Sequence, residues 1–234
     1  SILNERNTPD VNISTVEDPV EYTLEGIHQV QVIREKGLDF ARALRSLMRQ
    51  DPDIILVGET RDRETAQTAM EAALTGHMVF TTLHANDTAT AITRLSEMGI
   101  PPYLVGSSVI GVMAQRLIRK ICPTCSTTRN VDPEKDQVAI EFGINQLRKP
   151  NIIDISHGNI ENKDLCPTCN GTGYKGRLGL YEVMKVNDPI RELIMKSATA
   201  DLIRECAAEN GVRSLLNYGL DLVKQQLTSL EEVE

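Results

Sequence analysis

Two short stretches of this chain run from an apolar core segment into acid. Residues 51–62 read DPDIILVGETRD and residues 13–22 read ISTVEDPVEY. In the first, Ile54, Ile55, Leu56 and Val57 form a continuous apolar run, Gly58 permits a close backbone turn, and Glu59 follows. In the second, a β-branched run ends in Glu17 and Asp18, Pro19 breaks the strand, and Glu21 comes next. Parallel strands that each deliver a carboxylate at the C-terminal end gather acid at one sheet edge, where open α/β sheets bind ligands. Paired acids there suit a hydrated magnesium ion and an attacking water, because magnesium takes oxygen ligands and keeps several waters. Solvated turn residues give the same pattern. Such a carboxylate is useful only beside a phosphate cradle, and no G-x-x-x-x-G-K-[ST] occurs in the 234 residues.

A third stretch, TGHMVFTTLHAND (75–87), carries His84 after an apolar strand, at the same predicted edge. There an imidazole can hydrogen-bond a phosphate or sense its loss; a structural role is the alternative. His77 follows the helix-stopping Gly76 and can cap a helix C-terminus. Nothing singles out His28 or His157. In FARALRSLMRQDPD (40–53), Arg42, Arg45 and Arg49 lie opposite the apolar face of a helix, with Arg45 and Arg49 one turn apart. They form either a solvated face or a pair of cations aimed at phosphates, where an arginine finger adds about 10³ to 10⁵ in rate.

The cysteines carry the strongest spacing. Cys122 and Cys125 form one C-x-x-C, and Cys166 and Cys169 a second, with 40 residues between them. Two such knuckles fit a tetrahedral, closed and therefore structural Cys₄ zinc site. A redox dithiol is the alternative, although one pair would suffice for that chemistry. The second knuckle, CPTCNGTG, also resembles the zinc repeats of Hsp40-type chaperones, but only one copy matches. Arg177, just beyond it, is either a surface residue or a cation brought to the nucleotide if the lobe folds back on the core. Cys206 reads as a small buried hydrophobe.

The elements that must hold these residues alternate. Strands are predicted over 13–16, 54–57 and 78–83, with helices over 39–50, from Asp62 to Gly76, and from Asp87 or Thr88 to Gly99. A helix is predicted over 103–119, an irregular polar stretch after Lys120, and helices again from an Asp188-Pro189 start. Short apolar strands between amphipathic helices argue for an α/β fold, a parallel sheet covered by helices. Aromatic residues are only 3% of the chain, so Leu, Ile, Val, Ala and Met build the core. The net charge of −8 gives no support to general nucleic-acid binding. No apolar stretch is long enough to span a bilayer, and the polar N-terminus is no signal peptide, so a cytoplasmic location is expected. The start at Ser1, without Met, and the helix-tail look of SILNERN are expected of a piece of a longer protein.

In order along the chain, TVEDPVEY (15–22), LRSLMRQDPDIILVGETRD (44–62), TGHMVFTTLHAND (75–87) and AQRLIRKICPTC (114–125) resemble the secretion ATPases. More narrowly, they resemble the ATPases of type II secretion and type IV pilus assembly, over nearly the whole chain. The resemblance implies a RecA-like core over 1–120, a zinc lobe over 121–180 and a C-terminal helical region over 181–234. It implies ATP and Mg²⁺ as ligands, a homo-hexamer, and an inner-membrane platform protein as partner, with the ATPase peripheral to that membrane. The acidic-box carboxylates are then Glu17, Asp18 and Glu21, the Walker B carboxylate is Glu59, and the histidine-box residue is His84, with His77 nearby. Arg45, Arg49 and Arg177 match arginines that face the phosphates. Gly58 stands where an Asp often precedes the Glu, which is usual in the family and leaves the metal held mostly through water. Ala85 stands where Thr is common. The phosphate loop of the family lies upstream of the acidic box, so the cradle is expected before Ser1 and this fragment alone is expected to bind ATP weakly or not at all. Pilus assembly is favoured over secretion by the stretch from STVEDPVEY to VGETRD. The rival classes are a non-catalytic zinc-stabilised interaction domain and, against the acidic charge, a DNA helicase or recombinase.

Overall fold

The computed structural model describes residues 2–153 and 165–234, so His157 lies outside the described residues. Along the chain come α1 (Ile2–Arg6), β1 (Ile13–Glu17), β2 (His28–Gln31), α2 (Phe40–Leu47), β3 (Ile54–Val57), α3 (Arg63–Leu74), β4 (Met78–Thr81), α4 (Thr88–Glu97) and α5 (Pro102–Ser108). Then follow β5 (Gly111–Ile121), β6 (Thr127–Asn130), α6 (Gln137–Glu141), β7 (Gln146–Lys149), β8 (Tyr174–Lys185), α7 (Asp188–Met195), α8 (Ala200–Glu209) and α9 (Leu215–Lys224). They form two compact units, one of Ser1–Val112 with Met184–Asn210, the other of Met113–Val183 with Gly211–Glu234. Of the C-terminal helices, α7 and α8 therefore belong to the first unit and α9 to the second.

In the first unit β2, β1, β3 and β4 lie side by side in that order, all parallel, with Val16 opposite Val57 and Val57 opposite Thr81. Both sheet faces are apolar because the middle strands are buried on both sides. Ile55 and Val57 point with Val16 toward Phe40 and Leu44 of α2 and Ala69 of α3. Ile54, one residue off, packs on the other face with Ile13 and with Leu3 of α1. Three aspartates set where helices begin. The side chains of Asp39, Asp62 and Asp87 accept the amides of Arg42, Thr65 and Thr90 at 2.8, 2.8 and 2.7 Å. Each such cap stabilises its helix by about 1 kcal/mol. Since β3 ends at Val57 and α3 starts at Arg63, only residues 58–62 cross the sheet edge.

Two sequence expectations are corrected. The helix over 103–119 stops at Ser108, and 111–121 is the strand β5, paired with β8. Val109 and Ile110 are β-branched, and Val109 is already extended (φ −80°, ψ 118°) where the helix ends. Tertiary pairing overrides the helical spacing there. The start of α7 shifts by one residue: Asn187 is the cap, accepting the Ile190 amide at 3.2 Å, and Asp188 and Pro189 fill the first two helical positions.

The second unit contains an apolar cluster of Ala139 (α6), Ile144, Leu147 (β7), Leu220 and Val223 (α9) and Leu230. The stretch after Lys120 thus shares an apolar core to which α9 contributes Leu220 and Val223. Its β6–β7 ribbon is antiparallel, with Thr128 opposite Arg148.

Candidate active site and cysteine centre

Because β1, β3 and β4 are parallel and adjacent, their C-terminal ends share one edge. Glu17 ends β1, Glu59 lies two residues beyond β3, and His84 three beyond β4. The Gly58 amide donates to the Val16 carbonyl at 2.8 Å. A Cβ added at Gly58 would stand 3.1 Å from that carbonyl oxygen and 3.3 Å from the Glu17 Cα. Glycine is thus what lets the Glu59 turn lie against the end of β1. The next strand is stitched in too: the Thr60 amide donates to the Thr82 carbonyl at 2.9 Å, and the Thr82 hydroxyl to the Gly58 carbonyl at 2.6 Å.

The Glu59 side chain is 17% exposed; its Oε2 lies 2.6 Å from Arg61 Nε and 4.0 Å from His84 Nε2. His84 itself is 88% exposed. Glu17 Oε1 accepts from the Thr15 hydroxyl at 2.5 Å and from Gln29 Nε2 at 3.0 Å, which holds the carboxylate on the sheet. Asp18, one residue on, pairs with Arg34 at 3.0 Å. Glu21 is exposed in the loop between β1 and β2. Arg34 and Arg61 were not foreseen, although Arg61 stands in the GETRD run itself.

Other candidates lie elsewhere. His77 is not brought to this edge. It precedes β4 at the opposite edge, where its Nδ1 lies 2.9 Å from the Ala72 carbonyl and 3.2 Å from the Thr75 hydroxyl, closing the end of α3. Arg45 pairs with Glu64 in the first turn of α3 at 2.9 Å, while Arg49 is exposed in the 3₁₀ turn after α2. Arg177 is exposed on β8, in the second unit. A concavity of about 780 Å³ opens at the N-terminal strand edge among Asn12, His28, Asp51 and Asp53. It contains none of the sequence-predicted acids and not His84, so chemistry rather than volume selects the site.

The second unit brings the two knuckles together. The ligand sulfurs of Cys122, Cys125, Cys166 and Cys169 all lie within 4.8 Å of one another. Cys122 and Cys166 are 3.8 Å apart, and Cys125 and Cys169 3.5 Å. A tetrahedron with bonds of about 2.3 Å has edges of about 3.8 Å, so the quartet fits a closed four-thiolate centre. Gly171 and Gly173 take φ of +82° and +74°. A Cβ at Gly173 would come within 2.8 Å of Pro150, while its carbonyl accepts the Cys122 amide at 2.9 Å. The N-G-T-G run thus ties the second knuckle to the first. Arg148 holds the first knuckle through the Ser126 hydroxyl at 2.7 Å and the Pro123 carbonyl at 3.1 Å. Burial pushes the Cys122 thiol up, but the amides of Cys125 and Thr124 and hydrogen bonds from Cys125 and Cys169 outweigh it and bring it down to about 6. Cys125 is pushed up to about 12 by burial, then by its hydrogen bonds to Cys169, Cys122 and Cys166. A set of thiols that cannot all ionise together is one a divalent cation would deprotonate.

The family model described as "Type II/IV secretion system protein" matches residues 1–234. The chain belongs to that family. It is 47% identical over 238 residues to the type IV pilus assembly ATPase PilB of Thermus thermophilus, covering 100% of this chain and 25% of that protein. It is 44% identical over 235 residues to the type II secretion system ATPase E of Vibrio cholerae, covering 99% of this chain and 44% of that protein. The ADP-bound pilus retraction motor PilT superimposes with a TM-score of 0.68 at 26% identity, over 100% of this chain and 55% of that one. This member of the family thus spans less than half the length of those two relatives. No described helix is long and apolar enough to cross a membrane.

Proposed function

We propose that this chain is the C-terminal part of a hexameric motor ATPase that powers type IV pilus assembly by hydrolysing ATP. The observation that supports it best is the convergence of Glu17, Glu59 and His84 at one strand edge, with the largely buried Glu59 carboxylate 4.0 Å from the imidazole. In this reading the oxygen of a water attacks the γ-phosphorus, the bond to the β-phosphate oxygen breaks, and ADP leaves. Glu59 orients that water and accepts its proton. His84 donates a hydrogen bond to a phosphate oxygen, and Glu17, Asp18 and Glu21 hold the waters of a Mg²⁺ ion, which would neutralise developing charge when bound. Arg45, Arg49 and Arg177 supply cations to phosphates within or between subunits. His77 keeps its helix-capping place at the other edge. Residues 1–120 serve as the ATPase core, 121–180 as a lobe holding Zn²⁺ on the four cysteines, and 181–234 as the C-terminal helical region. The partner is an inner-membrane platform protein, reached from the cytoplasmic side.

Type II secretion is the second reading, supported by the Vibrio cholerae relative at 44% identity. A non-catalytic zinc-stabilised interaction domain is the rival of another class. The full-length protein with Glu59→Gln separates the classes. Turnover should fall by about 10² to 10⁴, the range of a lost general base, while zinc content stays. Unchanged turnover would favour the interaction domain.

A further inference from the structure

His84 is 88% exposed, so burial of its own side chain does not fix its place at the strand edge. The segment that carries it runs from the end of β4 to the start of α4, and two of its anchors lie at its ends. One is Thr82, bound to both sides of the Glu59 turn. The other is Asp87. One oxygen of Asp87 caps α4 by accepting the Thr90 amide at 2.7 Å. The other accepts a fork from Arg204 of α8, with Nε at 3.1 Å and Nη2 at 2.7 Å. The third guanidinium nitrogen reaches Asp201 at 2.5 Å.

The Asp87 side chain is 22% exposed and that of Arg204 46%. Burial works against the charged form of Asp87, yet the hydrogen bonds from Thr90 and Arg204 outweigh it and hold the carboxyl below the ordinary range. A partly exposed pair contributes little to stability. Its consequence is therefore geometric: Arg204 holds one oxygen of Asp87 while the Thr90 amide holds the other, which together orient the carboxylate, and His84 is three residues away. The helices α4 and α8 pack on each other within the first unit.

We propose that Arg204 is a positioning residue for hydrolysis: by gripping Asp87 from α8 it holds the segment that presents His84, and so couples α8 to the nucleotide edge. This rests on the ATPase reading given above. Any displacement of α8 that withdraws Arg204 releases the Asp87 anchor of this segment without touching Glu59.

The test uses the full-length protein. With Arg204→Gln, kcat should fall about 10-fold, as a misplaced reacting group predicts, while KM for ATP stays within about 2-fold. Asp201→Asn, which removes only the other partner, should hydrolyse as the wild type does. In a His84→Ala background Arg204→Gln should add nothing further, since residues acting through one group are not additive. Arg204→Lys keeps the charge without the fork and should lose about 3-fold, again only when His84 is present. Wild-type turnover in Arg204→Gln, or the same fractional loss with and without His84, would overturn the inference. If the wild-type protein hydrolysed no ATP, the ATPase reading itself would fail, and this inference with it.

Discussion

His84 Nε2 stands 4.0 Å from Glu59 Oε2 although the residues come from different strand ends. That distance is too long for a hydrogen bond and short enough for both groups to act on one phosphate. It follows from register. Val57 lies opposite Thr81, so the two chains leave the sheet level with each other. Threonines then lock the turn, with Thr60 and Thr81 hydroxyls 2.7 Å apart and Thr82 on the Gly58 carbonyl. A sheet with antiparallel strands would have put the acid and the imidazole at opposite ends.

Gly58 is the tightest point of that edge. Gly58→Ala places a methyl 3.1 Å from the Val16 carbonyl oxygen and 3.3 Å from the Glu17 Cα, both backbone atoms that yield little. The expected cost is about 1 to 3 kcal/mol, as for other overpacked sites. Turnover of the full-length protein should fall further than stability accounts for, because β1 and the Glu59 turn must separate. Thermal melting and steady-state hydrolysis measured together check this; an unchanged melting point with full activity would count against the close fit.

The Arg45–Glu64 pair separates structural from functional roles. Both side chains are about half exposed or more, so the 2.9 Å contact should contribute only about 0 to 1 kcal/mol. Arg45→Ala should therefore leave the melting point of this chain nearly unchanged. If Arg45 also serves phosphates, the full-length protein should lose about 10-fold or more in turnover, a small share of what an arginine finger supplies. A large stability loss would mean that the residue is structural.

How much of this was legible before the structure depends on where each signal resides. Local chemistry read well: Asp62 caps α3, α2 and α4 begin within a residue of the expected Asp39 and Asp87 or Thr88, β3 spans Ile54–Val57 as its apolar run indicates, and the two C-x-x-C pairs meet. The shared edge of Glu17, Glu59 and His84 followed from strand alternation. Contacts between distant segments were not legible. Nothing in spacing relates Arg204 to Asp87, 117 positions away, or Gln29 to Glu17. β2, with the pattern HQVQ, has too little apolar character to announce itself. β5 misled because a stretch with Leu and Ile at helical intervals also suits a long strand once β8 is there to pair with it.

Asp136 gives the second unit a defined acid limb. The Arg129 guanidinium, with the Asp132 amide, holds its carboxyl at about 2 against the effect of burial. The folded value lies below the ordinary one of about 4, so the contribution is complete above about pH 4 and is lost as the pH falls toward 2. Asp136→Asn should remove that limb and cost about 1.5 to 3 kcal/mol at neutral pH, the range for a hydrogen bond to a charged partner. Melting of both proteins across pH 2 to 7 reads it. Identical acid limbs would sink the assignment.

The cysteine centre makes the sharpest demand on composition. If the quartet holds zinc, purified protein should carry about one zinc per chain, and Cys125→Ser should lose most of it, since three sulfurs leave a closed tetrahedral site incomplete. Chelation should expose the amides of Cys122 and Asn170, which donate to the Gly173 and Cys166 carbonyls in the knuckles. The cluster around Leu147, Leu220 and Leu230 does not include the sulfurs, so it should keep more of its protection in hydrogen exchange. Structural zinc in small fingers contributes on the order of 10 kcal/mol. Here the contribution should be smaller, because an apolar core already joins α6, β7 and α9. Metal-free protein with an unchanged melting point and protected knuckle amides would show that the four thiols pack without an ion.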